Sequence, residues 1–151
     1  MIKLNEKYKC LFENDTRYFI LTGGRGSSKS FGVGTFANLL SFESGHRILF
    51  TRQTMTSAHL SIIPEFQEKI ELMELNPYFQ INKSEIVNIQ SKSEIIFKGI
   101  KTSSGDQTAN LKSLQGVTTW ILDEAEELID ETIFDKINFS IRQKGKQNRV
   151  I

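Results

Sequence analysis

The residues best suited to do chemistry gather in two places, Gly23 to Ser30 and Asp123-Glu124. The first, Gly23-Gly24-Arg25-Gly26-Ser27-Ser28-Lys29-Ser30, follows an apolar run, Tyr18-Phe19-Ile20-Leu21, and leads into a helix-compatible run to Leu40. Strand, glycine-rich turn, Lys-Ser and helix is the layout of a phosphate-binding (Walker A) loop. Glycines let consecutive backbone N–H groups turn inward on a polyphosphate, and the following helix adds its orphan N–H groups and the positive end of its dipole. Lys29 can reach the β- and γ-phosphates, and the Ser30 hydroxyl can ligand Mg²⁺. In G-x-x-x-x-G-K-[ST], Gly23 fills the first position and Ser28 stands where the second glycine is expected. That serine must take glycine-like backbone geometry, or the loop must follow another path. The plain alternative is a Gly/Ser turn with an incidental lysine.

The second place weighs against that alternative. Trp120-Ile121-Leu122-Asp123-Glu124 is an apolar strand ending in two carboxylates, as a Walker B strand does. The first acid would hold Mg²⁺ beside the loop serine, and the second would polarise an attacking water as general base. The bland reading is an acidic helix start continued by Glu126, Glu127, Asp130 and Glu131. That suits the later acids better than the pair itself, which lies in the right order and on the right element relative to the loop. Arg25 could stabilise charge on the γ-phosphate or be an exposed turn arginine; its position alone leaves both open. Lys112 could contact a neighbour's nucleotide or DNA, although most lysines are simply exposed.

The elements that must position these groups follow from periodicity. Arg17 to Leu21 and Val117 to Leu122 read as buried strands, Arg47 to Thr51 as a short strand, and Arg52-Gln53-Thr54 as a polar turn. Helices are expected over Ser30 to Phe42, about Thr56 to Leu75 (with Pro64 forcing a kink or late start) and Glu131 to Arg142. Phe79 to Ile81, Ile86 to Ile89 and Glu94 to Phe97 alternate like a small antiparallel meander, and Lys98 to Gly116 has loop composition. Val150-Ile151 opens a further strand. Residues 1–16 form a short helix or arm, in which Tyr8 and Phe12 could face an adenine ring but at helical spacing read first as packing. Strands alternating with helices predict an α/β fold: a P-loop NTPase three-layer sandwich on a mostly parallel sheet, with a small antiparallel hairpin insertion.

Composition sets outer limits. The chain has 151 residues, 38% hydrophobic and 25% charged, which suits one folded domain. A net charge of +1 makes any DNA-handling surface a local patch. One cysteine, Cys10, excludes an internal disulfide, and with only His46 and His59 beside it there is no zinc constellation. There is no signal-peptide core at Met1 to Glu6 and no apolar run long enough to span a bilayer, so a soluble intracellular protein is expected.

With these motifs in place, the chain resembles the ATPase domain of the large terminase subunit, the motor of tailed-phage DNA packaging. The likeness rests on Tyr18 to Ser30 with arginine inside the loop, on Leu111-Lys112-Ser113-Leu114-Gln115-Gly116 shortly before Trp120 to Glu127, and on Arg52-Gln53-Thr54 after the second strand. It implies ATP and Mg²⁺ as cofactors, the loop Gly23, Gly24, Arg25, Gly26, Ser27, Ser28, Lys29 and Ser30 as phosphate site, Ser30 and Asp123 toward Mg²⁺, and Glu124, Arg25 and Lys29 as catalytic groups. It implies double-stranded DNA, a portal protein and a small terminase subunit as partners, a homo-oligomeric ring when assembled with the isolated domain monomeric, and the bacterial host cytoplasm as location. The family's coupling motif would come just beyond Ile151, so residues 1–151 read as an ATPase domain cut short on its C-terminal side, without the nuclease domain and with weak turnover. A helicase-like ATPase and a nucleotide-binding assembly module without turnover are the rival readings.

Overall fold

The computed structural model describes residues 3–13, 15–54, 60–101 and 114–151. A 3₁₀ arm, Glu6–Phe12, precedes α1 (Lys29–Leu40), β1 (Arg47–Thr54), α2 (Ile62–Leu72), β2 (Phe79–Ile81), β3 (Glu85–Asn88), β4 (Glu94–Lys101), β5 (Thr119–Leu122), α3 (Glu131–Ser140) and β6 (Arg149–Val150). The six strands form one sheet in the order β2-β3-β4-β1-β5-β6. Pairings β1–β4, β1–β5 and β5–β6 are parallel, while β2–β3 and β3–β4 are antiparallel. The expected antiparallel meander is present as β2, β3 and β4. It is the outer edge of the main sheet, joined through β4.

Side-chain alternation along the strands sorts the core into two layers. Ile48, Phe50 and Ile121 face α1 and α2, where Phe36, Ile63, Phe66 and Ile70 are buried. Leu49 and Trp120 face the other way, against Ile133, Ile137 and Ile141 of the α3 region. Helices thus cover both faces of the sheet, the three-layer arrangement expected for buried parallel strands. Helix α1 carries Gly32 and Gly34 where neighbours come closest. A Cβ on Gly34 would lie 2.9 Å from Lys69 Cδ. That room lets Lys69 lie buried along α1, donate to the Glu65 carbonyl at 2.7 Å and sit over the Phe31 ring. Burial holds its pKa below the ordinary lysine value.

Several sequence boundaries shift for identifiable reasons. Arg52, Gln53 and Thr54 extend β1 rather than turning, because β4 continues beside them with Arg52 opposite Gly99 and Thr54 opposite Lys101. For the same reason Lys98 to Lys101 belong to a strand. Helix α2 starts late, at Ile62, with Pro64 in its first turn, where a missing N–H costs no helical bond. It ends at Leu72, before the left-handed Glu74. Residues 56–59, which the expected helix also covered, lie outside the described residues. Helix α3 stops at Ser140, two residues short of Arg142. The segment Arg17 to Leu21 is only partly a buried strand. It pairs in parallel with β6 through Tyr18 and Val150 and buries Phe19, while Tyr18 and Ile20 are exposed.

At the sheet end opposite the strand C-termini, His46 is buried between Thr118 Oγ1 at 2.9 Å from Nδ1 and Glu43 at 3.3 Å from Nε2. Burial, helped by the nearby Lys146, holds its pKa below the ordinary histidine value against the pull of Glu43. A base whose folded pKa is depressed leaves stability intact above its unfolded pKa of about 6.5 and withdraws it as pH falls toward the folded value. Urea unfolding at pH 7.5 and 5.5 will show lower stability at the acid value, and His46→Gln will reduce that difference.

Candidate functional site

Parallel strands deliver their carboxyl ends to one edge, and there the two sequence motifs meet. Phe19 N–H donates to Val150 O at 2.9 Å, and Ile151 N–H donates to Trp120 O at 2.8 Å. The segment before the glycine loop is thereby tied through β6 to β5. Gly23 to Ser30, Arg52, and Asp123 to Glu126 line one open cavity of about 920 Å³, with Phe50, Phe66 and Ile121 in its floor.

The loop is tightly made. Gly23 has φ +151°, and a Cβ there would lie 2.9 Å from Ser27 Oγ, so only glycine fits. A turn from Gly24 O to Ser27 N–H, at 3.3 Å, carries the chain to Ser28. Ser28 has φ +62° and ψ +22°, the left-handed conformation that the motif's second glycine supplies without cost. The serine has thus accepted the glycine geometry. It precedes α1, whose first N–H to C=O bond joins Gly32 to Ser28 at 2.9 Å. The Lys29 ammonium folds back over the loop, donating to the Gly23 carbonyl and lying 3.3 Å from Ser27 Oγ. Ser30 is exposed in the first turn of α1. Arg25 is exposed on the cavity wall, and no hydrogen bond or ion pair joins it to another described residue.

The carboxylates enter from β5. Asp123 N–H donates to Thr51 O at 2.9 Å, one step past the last β1–β5 pair, Thr51 with Leu122. Arg52 comes next on β1 and reaches Asp123 Oδ2 with two nitrogens, Nε at 2.7 Å and an Nη at 2.6 Å. Glu124 Oε2 lies 3.9 Å from the same Nε. Glu124 is left-handed (φ +55°, ψ +48°), and the following single turn Ala125–Glu127 keeps it from starting a regular helix. The acids beyond it are exposed, as the bland reading of that stretch required. Trp120 Nε1 donates to Thr51 Oγ1 at 2.8 Å, both buried, which fixes the strand that carries the acids against the strand that carries Arg52.

The structure brings together every loop residue named from the sequence with Asp123 and Glu124. Lys112 lies outside the described residues. Sequence reasoning missed Arg52 as the partner of Asp123. The available signal was a basic residue just past the apolar part of the strand that pairs with the acidic one. It also missed how the N-terminal arm acts. Tyr8 is buried, as packing required, with its ring so close to α1 that a Cβ on Gly32 would lie 2.7 Å from Tyr8 Cδ2. Its hydroxyl donates to the Ser27 carbonyl at 2.8 Å, and Lys7 Nζ donates to the same oxygen at 2.9 Å. Phe12 meets the Phe36 ring edge-on, with centroids 5.0 Å apart.

A mostly parallel sheet covered on both faces, with a glycine loop before a helix and paired acids on a neighbouring strand, defines an α/β domain of the P-loop fold class. Residues 15–151 match the family model of the phage terminase large subunit, and the chain belongs to that family. The terminase large subunit of Bacillus phage SPP1 is 26% identical over 122 residues, covering 76% of this chain and 28% of that protein. The crystal structure of the HK97 bacteriophage large terminase superposes with TM-score 0.69 at 17% identity, over 99% of this chain and 32% of that one. The large terminase from the thermophilic bacteriophage D6E gives 0.67 at 9% identity, over 93% and 34%. The chain thus spans about a third or less of these relatives. Among the described residues no helix is long and apolar enough to cross a membrane, and no group of three His, Cys, Asp or Glu is gathered for a metal ion.

The glycine contacts separate two roles in and beside the loop. Gly32→Ala forces a methyl into the Tyr8 ring and will destabilise the protein by about 1–3 kcal/mol, the usual cost of overpacking. Gly24, around which a Cβ would meet nothing within 4 Å, will tolerate alanine with little change in stability. Parallel denaturation curves for the two variants check the contrast.

Proposed function

We propose that this chain is an ATP-binding and ATP-hydrolysing motor domain that drives double-stranded DNA into a viral procapsid. The observation that carries the proposal is the single cavity lined by both Gly23 to Ser30 and Asp123-Glu124. Membership of the terminase large-subunit family supports the DNA-packaging part.

The residues present fit ATP with Mg²⁺. The Gly23 position is one that a Cβ would fill, and the loop turns its backbone into the N-terminus of α1, which favours anions. The hydroxyl of Ser30 and the carboxylate of Asp123 are hard oxygen donors of the kind Mg²⁺ takes, one or two per site, with phosphate and water completing the shell. Bound ATP with Mg²⁺ supplies the phosphoanhydride to be cleaved and the charge that draws electrons from it. Around it, Lys29 exchanges its bond to the Gly23 carbonyl for the β- and γ-phosphates. Arg25, exposed and unpaired among the described residues, turns toward the γ-phosphate. Glu124 accepts a proton from the attacking water and orients it. Family membership further supports a portal protein, a small terminase subunit and a ring of copies as the working assembly, in the host cytoplasm.

Calorimetry with Mg²⁺ and a non-hydrolysable ATP analogue tests the site. The wild type will bind and Lys29→Ala will not. Glu124→Gln will keep binding but lower phosphate release about 10²- to 10⁴-fold, the span expected for loss of a general base. A chain that binds nucleotide equally with and without Lys29 defeats the phosphate-loop assignment. Unchanged turnover in Glu124→Gln removes Glu124 as the general base, and no turnover in the wild type leaves a nucleotide-binding module rather than a motor.

A further inference from the structure

We propose that Arg52 is the resident counter-cation of Asp123, closing that carboxylate to free divalent metal until nucleotide arrives, so that metal and nucleotide enter the site together. This rests on the nucleotide reading above. Two nitrogens of one guanidinium meet a single carboxylate oxygen, Asp123 Oδ2, at 2.6 and 2.7 Å, and the same Nε lies 3.9 Å from Glu124. One cation therefore faces two consecutive carboxylates and offsets one of their two charges; unopposed, they would repel each other and attract a hard dication.

The placement follows from strand register. Asp123 still bonds to Thr51 through its backbone, so Arg52, the next residue of β1, must emerge beside it. The contact is not sealed. The Arg52 and Asp123 side chains are 26% and 24% exposed, so water and salt weaken the pair enough for exchange. Buried deeper, the same pair would be fixed and useless as a gate.

Charge balance decides what can open it. For Asp123 to take a dication, Arg52 must let go. With metal alone the released guanidinium has no anion away from the metal to move to, since Glu124, 3.9 Å from its Nε, is the neighbour of Asp123, and it stands next to a double positive charge. With nucleotide present it has one, because Arg52 lines the same cavity as Lys29 and Arg25. The carboxylate then passes from guanidinium to metal while the guanidinium passes from carboxylate to phosphate, and no charge is left unpaired. Each ligand's affinity depends on the other by the same factor. Arg52 is a positioning residue on this account, acting through Asp123 before nucleotide arrives.

The probe is Mn²⁺, measured as the metal retained on the protein side in equilibrium dialysis, with and without the non-hydrolysable ATP analogue, whose own Mn²⁺ complex distributes equally across the membrane. Without nucleotide, Arg52→Gln will bind Mn²⁺ about tenfold or more tightly than the wild type, the low end of what an adjacent opposite charge does to a carboxylate. Arg52→Lys, which keeps the charge, will restore much of the exclusion. With the analogue present the wild type will bind Mn²⁺ strongly, and Arg52→Gln will have lost its advantage. Equal nucleotide-free affinities in folded wild type and Arg52→Gln overturn the proposal and leave the nucleotide site standing. So does a wild type that takes Mn²⁺ as tightly without the analogue as with it, a result that does not depend on how the variants fold. A folded wild type that takes no Mn²⁺ even with the analogue removes the nucleotide reading, and this inference with it.

Discussion

The arrangement of the site depends on the parallel register of β5 between β1 and β6. β5 is short, four residues from Thr119 to Leu122, and its first three are buried. Backbone bonds tie it on both sides, with Asp123 N–H on Thr51 O toward β1 and Leu122 N–H on Ile151 O toward β6. A slip of one residue would turn Trp120 toward α1 and α2, exchange it with Ile121, and move Asp123 off Arg52. Trp120 blocks that slip twice, by filling the layer beneath α3 and by donating to Thr51 Oγ1, a bond that exists in one register only. Packing in the core thus decides which charges meet at the rim.

At that rim the charges are arranged with little burial. Lys29, Arg25 and Arg52 line the same cavity as Asp123 and Glu124. Arg52 answers the acids, and Lys29 answers a backbone carbonyl. These groups remain partly solvated, so the bonds they make are individually modest and can be traded for others. A deeply buried network would hold one arrangement and resist a charged ligand. The balance here fits the proposed nucleotide site, whose charged groups would exchange partners as a polyanion entered and left.

Much of this is readable from the sequence, because it depends on local chemistry. Gly23 to Ser30 and Trp120 to Glu124 stand out where residue type alone dictates geometry, and even the awkward Ser28 carries its own condition, glycine-like backbone or another path. The three-layer α/β class follows from alternation of strands and helices. What the sequence does not disclose depends on which strands become neighbours. Arg52 to Thr54 look like a turn by composition, and only β4 lying alongside makes them strand. The meander is legible as antiparallel strands, but nothing local says that β4 pairs with β1. The Arg52–Asp123 contact joins positions 71 residues apart, and no periodicity reports it. Packing and base contact are the two roles that spacing suggests for Tyr8. Its bond to Ser27 belongs to neither, because the ring and the hydroxyl are placed by different neighbours.

That bond explains how a loop with few side chains to pack keeps its shape. From Gly23 to Ser28, three glycines, two serines and one exposed arginine offer almost no apolar area, and Gly23, Gly26 and Ser28 sit at positive φ. Such a segment has many conformations to lose on folding and little burial of its own to offset them. Its order has to be supplied from outside. The arm does this with two donors, Tyr8 Oη and Lys7 Nζ, on one acceptor, the Ser27 carbonyl, and Gly32 provides the space for the Tyr8 ring to reach it. Fixing Ser27 fixes the residue just before the left-handed Ser28, and so the angle at which the chain enters α1. A ligand that meets a loop already held in this way has less ordering to carry out on binding, and more of its contact energy appears as affinity. The arm therefore belongs to the glycine loop in mechanical terms, although it contributes no residue to the glycine motif.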